Sequence, residues 1–255
     1  MTTQELEKAL LLVADFAFEH GEILKAMRLL EAAPLVLEDS IEIKKLLERV
    51  NRRLDYISYF QENGRYNINF VDPVNVEYKT VYQILKKELI KRPLVKYLVD
   101  VGCFTGWVGR NLSQDGYTVL GIDVNPLILR DAKRYATGTK ATFRYLEATQ
   151  LGKEYPGVFD GAILFDIVEH VFDYFILLKS VEKSVKKDGW IFINLPGYIK
   201  EKEISVAPTD DLHKEHIRSF SKKDVDKIFG KKKNVEIMEY KDEIGGSYYF
   251  ITYQI

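Results

Sequence analysis

The sequence predicts a doubly wound α/β sheet preceded by a helical arm, and three observations carry that expectation. From Val95 onward, short apolar and β-branched runs alternate with helical stretches, as a mostly parallel sheet with helices on both faces requires. The first of these runs, Leu94-Val95-Lys96-Tyr97-Leu98-Val99-Asp100-Val101, breaks at Gly102 and Gly106 before a helix. A strand, a glycine turn and a helix form a ligand cradle, because glycines let a ligand approach the main chain and the helix start offers unsatisfied N–H groups. Ahead of this unit, residues 1 to about 90 have helical periodicity.

Bulk properties narrow the function classes. A chain of 255 residues with 46% hydrophobic content fits one large α/β domain plus a modest extension. The formal net charge of −1 gives no global field favouring nucleic acid or another polyanion. The longest apolar run near the start, Ala9 to Phe18, contains Asp15 and is too short to span a bilayer. No signal-peptide pattern precedes it, and the single cysteine, Cys103, rules out an internal disulfide framework. The expected location is cytoplasmic.

Residues 1–72 are expected to form the helical arm and 73–255 the ligand-binding domain. Ala14, Gly21, Ala26, Leu30 and Ala33 recur at the spacing of one tetratricopeptide-like hairpin, with Gly21 as the turn. Solenoid units need stacked neighbours, so an ordinary helical cap, or a contact within a homodimer, stands beside that reading. A third helix is expected from Ser40 to about Tyr59, opened by Asp39 or Ser40. Its Lys44, Lys45, Arg49, Arg52 and Arg53 are interleaved with Glu42, Glu48 and Asp55, the pattern of a solvated face. Asn63-Gly64 and Asp72-Pro73 then mark the passage from arm to core. The aromatics between them, Tyr59, Phe60, Tyr66 and Phe70, suit either a lid over the site or core packing.

In the core, the second strand is expected over Tyr117 to Val124, ending at Asp123, whose carboxylate suits the two hydroxyls of a ribose. An N-cap for the next helix is the plainer role for Asp123. Ala141 to Tyr145 reads as the third strand, Gly161 to Phe165 as the fourth and Trp190 to Leu195 as the fifth. Tyr198 to Phe220 reads as an insertion, followed by a helix from Lys222 to Phe229. Val235 to Tyr240 and Ser247 to Ile255 alternate as an antiparallel final pair would, around Gly245-Gly246.

The motif Asp100-Val101-Gly102-Cys103-Phe104-Thr105-Gly106 resembles the first motif, D-x-G-C-x-T-G, of class I S-adenosylmethionine (SAM) dependent methyltransferases. It departs from the nicotinamide fingerprint G-x-G-x-x-G, because Phe104 stands where the second glycine belongs. The resemblance implies a seven-stranded, mostly parallel sheet, SAM as cofactor and S-adenosylhomocysteine (SAH) as product. It implies that Asp100, Gly102, Cys103, Phe104, Thr105, Gly106, Asp123, Val124, Glu147, Ala148, Phe165 and Asp166 line the cofactor site. Glu147 stands where an aspartate is more usual.

Asp166-Ile167-Val168-Glu169-His170 matches the D-x-x-E-H signature common among small-molecule and sugar methyltransferases, and His216-Ile217-Arg218-Ser219-Phe220-Ser221 matches an acceptor-side H-x-R-x-F-S run. The implied partner is a small-molecule or sugar acceptor methylated at oxygen, with nucleic acid and membrane disfavoured. His170 and His216 are then the candidates for the base that takes a hydroxyl proton. For His170 the alternative is a structural histidine held by Glu169. For His216 it is packing against the sheet edge, with Ser221 simply capping the next helix.

A metal-assisted reading, resembling small-RNA 2′-O-methyltransferases and ubiquinone-pathway O-methyltransferases, would recast Asp166, Glu169 and His170 as ligands with His213 or His216. The shorter Asp166 disfavours it, so no metal is expected. A non-catalytic SAM-binding interaction protein using the helical arm is a further alternative.

Overall fold

The computed structural model describes residues 3–19, 23–32, 40–47, 50–51, 76–171, 173–197, 220–241 and 246–255. The arm contains α1 (Thr3–Glu19), α2 (Ile23–Ala32) and α3 (41–47). Ser40 opens α3, its hydroxyl accepting the Ile43 N–H at 3.2 Å. Ala14, Ala17, Ala26, Leu30, Ile43, Leu46 and Val50 bury together into a small core of their own. Ala14, Ala26 and Leu30 are three of the positions with hairpin spacing. Gly21, Ala33, the 72/73 boundary and the aromatics Tyr59 to Phe70 lie outside the described residues.

The remaining elements are α4 (Val76–Ile90), β1 (Tyr97–Val101), α5 (Trp107–Gln114), β2 (Thr118–Asp123), α6 (Pro126–Tyr135), β3 (Ala141–Tyr145), a 3₁₀ turn at Ala148–Gln150, α7 (Leu151–Glu154) and β4 (Phe159–Phe165). They continue with α8 (Tyr174–Ser184), β5 (Val185–Pro196), α9 (Lys222–Phe229), β6 (Lys233–Lys241) and β7 (Ser247–Gln254). Among the described residues the strands form one seven-stranded sheet in the order β3-β2-β1-β4-β5-β7-β6. β1 to β5 run parallel, while β7 is antiparallel to both β5 and β6. The expected doubly wound sheet is therefore present, with the final pair inserted so that β7 rather than β6 meets β5.

Alternation along β1 explains the two helical layers. Leu98 joins Leu85 and Leu89 of α4, Leu112 of α5 and Phe192 on one face. Its neighbour Val99 points the other way, to Leu177 and Val181 of α8 and Phe229 of α9. Burying each such side chain contributes ~1.5–3 kcal/mol, so both faces hold the sheet. Leu94, counted in the apolar run, is 90% exposed in the turn before β1.

Polar residues move two strand starts. β4 begins at Phe159, ahead of the expected Gly161, because Asp160 serves the sheet: its Oδ2 accepts the N–H groups of Lys96 and Tyr97 at 3.0 and 2.8 Å. β5 begins at Val185, where Lys186-Lys187-Asp188-Gly189 hides the strand from an apolar-run reading. Lys186 pairs with Asp160 at 2.7 Å, so these charges staple the starts of β1, β4 and β5. Among the described residues no helix is long and apolar enough to cross a membrane.

Candidate active site

The chain winds from β1 outward to β3, then returns to add β4 on the other side of β1, which makes the carboxyl ends of β1 and β4 the topological switch point. In register, Val101 lies beside Ile122 of β2 and Leu164 of β4. Asp100, Gly102, Asp123, Phe165 and Asp166 are thereby gathered at one edge. Leu146 adds the next loop, its N–H donating to the Asp123 carbonyl at 3.1 Å, so Glu147 and Ala148 follow directly beside the end of β2.

The glycine loop is held by main-chain geometry. Gly102 and Cys103 both donate to the Ile122 carbonyl, at 2.9 and 3.0 Å. Gly102 has φ +71° and Gly106 φ +74°, conformations that side chains disfavour. A Cβ on Gly102 would stand 2.9 Å from Ile167 Cδ1, and one on Gly106 only 2.3 Å from the Phe143 ring. Gly121 on β2 is squeezed the same way, with a built Cβ 2.4 Å from Phe143. Phe143 therefore sets how closely loop, helix and sheet approach. Cys103 turns its thiol into the cluster of Leu129, Ala132, Ala141 and Phe143, and burial pushes that thiol's pKa up. Thr105 is also buried, and Phe104 takes φ +48°.

Two acids define the cradle. Asp100 is 3% exposed, and its Oδ2 has no hydrogen-bond partner. Burial foremost, then the charge of Asp123, pushes its pKa up to about 7, against the pull of the Gly109 N–H that donates to it. Asp123 accepts the Phe104 N–H on Oδ2 at 3.0 Å and the Asn125 N–H on Oδ1 at 2.9 Å. Asp123 does not cap α6, since Asn125 does, accepting from Leu127 and Ile128 at 3.1 and 3.3 Å.

On the other side of the switch point, Phe165 buries against Phe250 with ring centroids 6.1 Å apart, edge to face. Asp166 follows with φ +49°, its Oδ1 accepting from Asn194 Nδ2 at 2.9 Å. Glu169 is fully buried, and neither carboxyl oxygen has a hydrogen-bond partner. Burial first, then the Asp166 charge, holds its pKa well above the usual carboxylate range. His170 is half-buried, with Nε2 4.0 Å from Glu169 Oε1, beyond hydrogen-bond reach. Among the described residues no three His, Cys, Asp or Glu side chains converge as a metal site would require. The stretch 198–219, with Asp210, Asp211, His213, Glu215, His216 and Arg218, lies outside the described residues. Its far end returns at Phe220, which bridges to Gly197 and meets Tyr174 edge-on at 5.9 Å.

A family model described as a methyltransferase domain matches residues 48–239, three quarters of the chain. The chain belongs to the methyltransferase-domain family. Its sheet order is that of the class I, SAM-dependent branch. Residues of this methyltransferase domain are 31% identical over 101 positions to the ubiquinone biosynthesis O-methyltransferase of Pseudomonas paraeruginosa, an alignment that covers 39% of this chain and 44% of that protein. The chain spans about half the length of the curated relatives it matches. The fold is shared with magnesium protoporphyrin IX methyltransferase from Synechocystis PCC 6803, solved with bound SAH. That likeness has a TM-score of 0.63 at 16% identity over 80% of this chain and all of that one. Phosphoethanolamine N-methyltransferase 2 of Haemonchus contortus, in complex with SAM, aligns with a TM-score of 0.51 at 14% identity, over 63% of this chain and 48% of that one.

Ile167, Asn194 and Tyr240 escaped the sequence reading although all three shape the site. Ile167 packs on Gly102. Asn194 signals itself as the one polar residue inside Trp190-Ile191-Phe192-Ile193-Asn194-Leu195, since a buried amide must find partners. Tyr240 carries no local signal, because its role depends on strand order.

Proposed function

We propose that the protein transfers the methyl group of SAM to a hydroxyl oxygen of a small-molecule or sugar acceptor. The observation that carries this reading is the unpartnered, buried Oδ2 of Asp100 beside the Gly102 loop, with Asp123 at the next strand end. An orphaned carboxylate oxygen suits the cationic amino group of an amino acid, and a carboxylate at the end of the next strand, Asp123, suits a ribose diol. Glu147, Ala148 and Val124 border the position for the adenine. When bound, SAM supplies an electrophilic methyl group on a sulfonium.

The chain's own task is to present a hydroxyl in line with that group and to take its proton. His170, next after the buried Glu169 and just beyond β4, is the proton acceptor in this reading, with His216 from the 198–220 insertion as the second candidate. Ile167, packed on the glycine loop, excludes water between cradle and acceptor.

Calorimetric titration with SAM, and then SAM-to-SAH conversion over a panel of sugars, phenols and nucleotides, tests the proposal. His170→Ala is expected to cost ~10²–10⁴ in turnover on a true acceptor with SAM affinity unchanged. Near-normal turnover of both His170→Ala and His216→Ala would remove the base assignment and leave positioning alone. Turnover abolished by a chelator and restored by a divalent ion would replace it with a metal-assisted step.

A further inference from the structure

Asp166 occupies a left-handed conformation, φ +49°, which few side chains adopt and which aspartate tolerates when its short side chain is hydrogen-bonded. The loop it opens carries Ile167, Glu169 and His170, so its geometry decides where the acceptor side of the site stands. Asn194 Nδ2 donates to Asp166 Oδ1 at 2.9 Å, and the Asp166 N–H donates back to the Asn194 carbonyl at 3.3 Å. Asn194 is 1% exposed, so its amide depends on protein partners. The other end of that amide, Oδ1, accepts from the Tyr240 hydroxyl at 2.8 Å. Tyr240 lies on β6, the strand at the sheet edge, where its ring stacks on Tyr248 of β7 at 5.5 Å and 23°. The two partners fix which way the amide faces. The Asp166 carboxylate only accepts, so it takes the amide nitrogen on the β4 side, which leaves the amide oxygen facing β6, where the Tyr240 hydroxyl donates to it.

We propose that Tyr240 and Asn194 are positioning residues: a hydrogen-bonded line running from the edge strand β6, over β7, to β5 holds Asp166 in its left-handed turn and so fixes the loop that presents Glu169 and His170. The inference rests on the reading of that loop as the acceptor side of a methyltransferase site. The strand order explains the length of the line: β4 is bordered by β5 on that side, and the hydroxyl that donates to Asn194 comes from β6, two strands further out. Removing the Tyr240 hydroxyl leaves the buried amide oxygen of Asn194 without that donor, so the amide is held at one end instead of two and its grip on Asp166 loosens.

Tyr240→Phe keeps the ring and its stack on Tyr248, and deletes only the donor. The test is hydrogen exchange, followed by mass spectrometry, on the wild type and on Tyr240→Phe, Asn194→Asp and Asp166→Asn. Loss of one buried hydrogen bond is expected to speed exchange in peptides covering 166–171 roughly tenfold in Tyr240→Phe. Exchange in the Gly102–Gly106 loop and the affinity for SAM should stay within about twofold. Asn194→Asp, which sets a carboxylate against Asp166, should loosen 166–171 at least as much. Asp166→Asn keeps an acceptor oxygen and the tolerance for positive φ, so it should stay near the wild type. A merely structural Tyr240 would speed exchange in β6 and β7 and leave 166–171 unchanged, and that result overturns the proposal. Failure of the wild type to bind SAM would instead overturn the functional reading, because the exchange comparison needs no ligand.

Discussion

The two halves of the proposed site, cofactor side and acceptor side, are built by different means. On the cofactor half, the ends of β1 and β2 are joined by main-chain donors: the N–H groups of Gly102 and Cys103 bond to the Ile122 carbonyl, while those of Phe104 and Asn125 bond to the Asp123 carboxylate. On the acceptor half, the end of β4 is held through side chains reaching across strands, from Tyr240 to Asn194 to Asp166. Main-chain geometry is carried by a few glycines and acids at fixed spacing, whereas a side-chain line depends on which strands the topology makes neighbours. The cofactor half should accordingly be brittle to single substitutions and the acceptor half graded.

The largest expected effect breaks the cofactor half outright. Gly102→Val sets a branched side chain at φ +71°, with its Cβ 2.9 Å from Ile167, and should abolish SAM binding. Circular dichroism and SAM titration on the same sample check this, and a folded variant that binds normally would show that the loop is not the cradle. Asp123→Ala comes next. It removes the proposed charge-assisted pair of bonds to the ribose, each ~1.5–3 kcal/mol, and should weaken SAM by ~10²-fold or more. Part of the loss reflects freeing of the Phe104 N–H, so thermal melting without ligand should fall as well. Unchanged affinity in a folded variant would remove Asp123 from the ribose site.

The third effect is graded with pH. Asp100 in the ligand-free protein has its pKa pushed up to about 7, and a cation needs it ionised. SAM affinity should level off above about pH 7 and fall roughly tenfold per unit below it, with proton release on binding. Calorimetry in buffers of different ionisation heat reads both, and a flat profile from pH 5.5 to 8 would dissociate Asp100 from the ammonium group. The sign for stability is opposite to that of an ion-paired acid. Between the ordinary carboxylate value and about 7, the folded protein holds a proton that the unfolded chain has lost, so stability should decline as pH rises through that window.

Legibility in the sequence follows the same division. β3 from Ala141 to Tyr145 and α9 from Lys222 to Phe229 are found at their expected bounds, because each has a local stop and start. At α9 that start is a capping box, with the Ser221 hydroxyl accepting from the Asp224 N–H and the Asp224 carboxylate accepting from the Ser221 N–H. The glycine loop and the two acids likewise sit where their spacing puts them. Asp160 and Lys186 obscured the starts of β4 and β5, since charges used as staples look like loop. Tyr240 was invisible because its partner lies 46 positions away across an intervening strand. Its use follows from β7 entering the sheet before β6, which no periodicity encodes.

That insertion also matters while the chain is being made. β5 pairs with β7 through Asn194 and Phe250, and β6, which is translated between them, must wait for β7 before it can join. At ~5–20 residues per second, the outer edge of β5 is without its partner for some seconds after β1 to β4 have emerged. A bare apolar edge of Trp190, Ile191, Phe192 and Ile193 is an invitation to pair with the wrong chain.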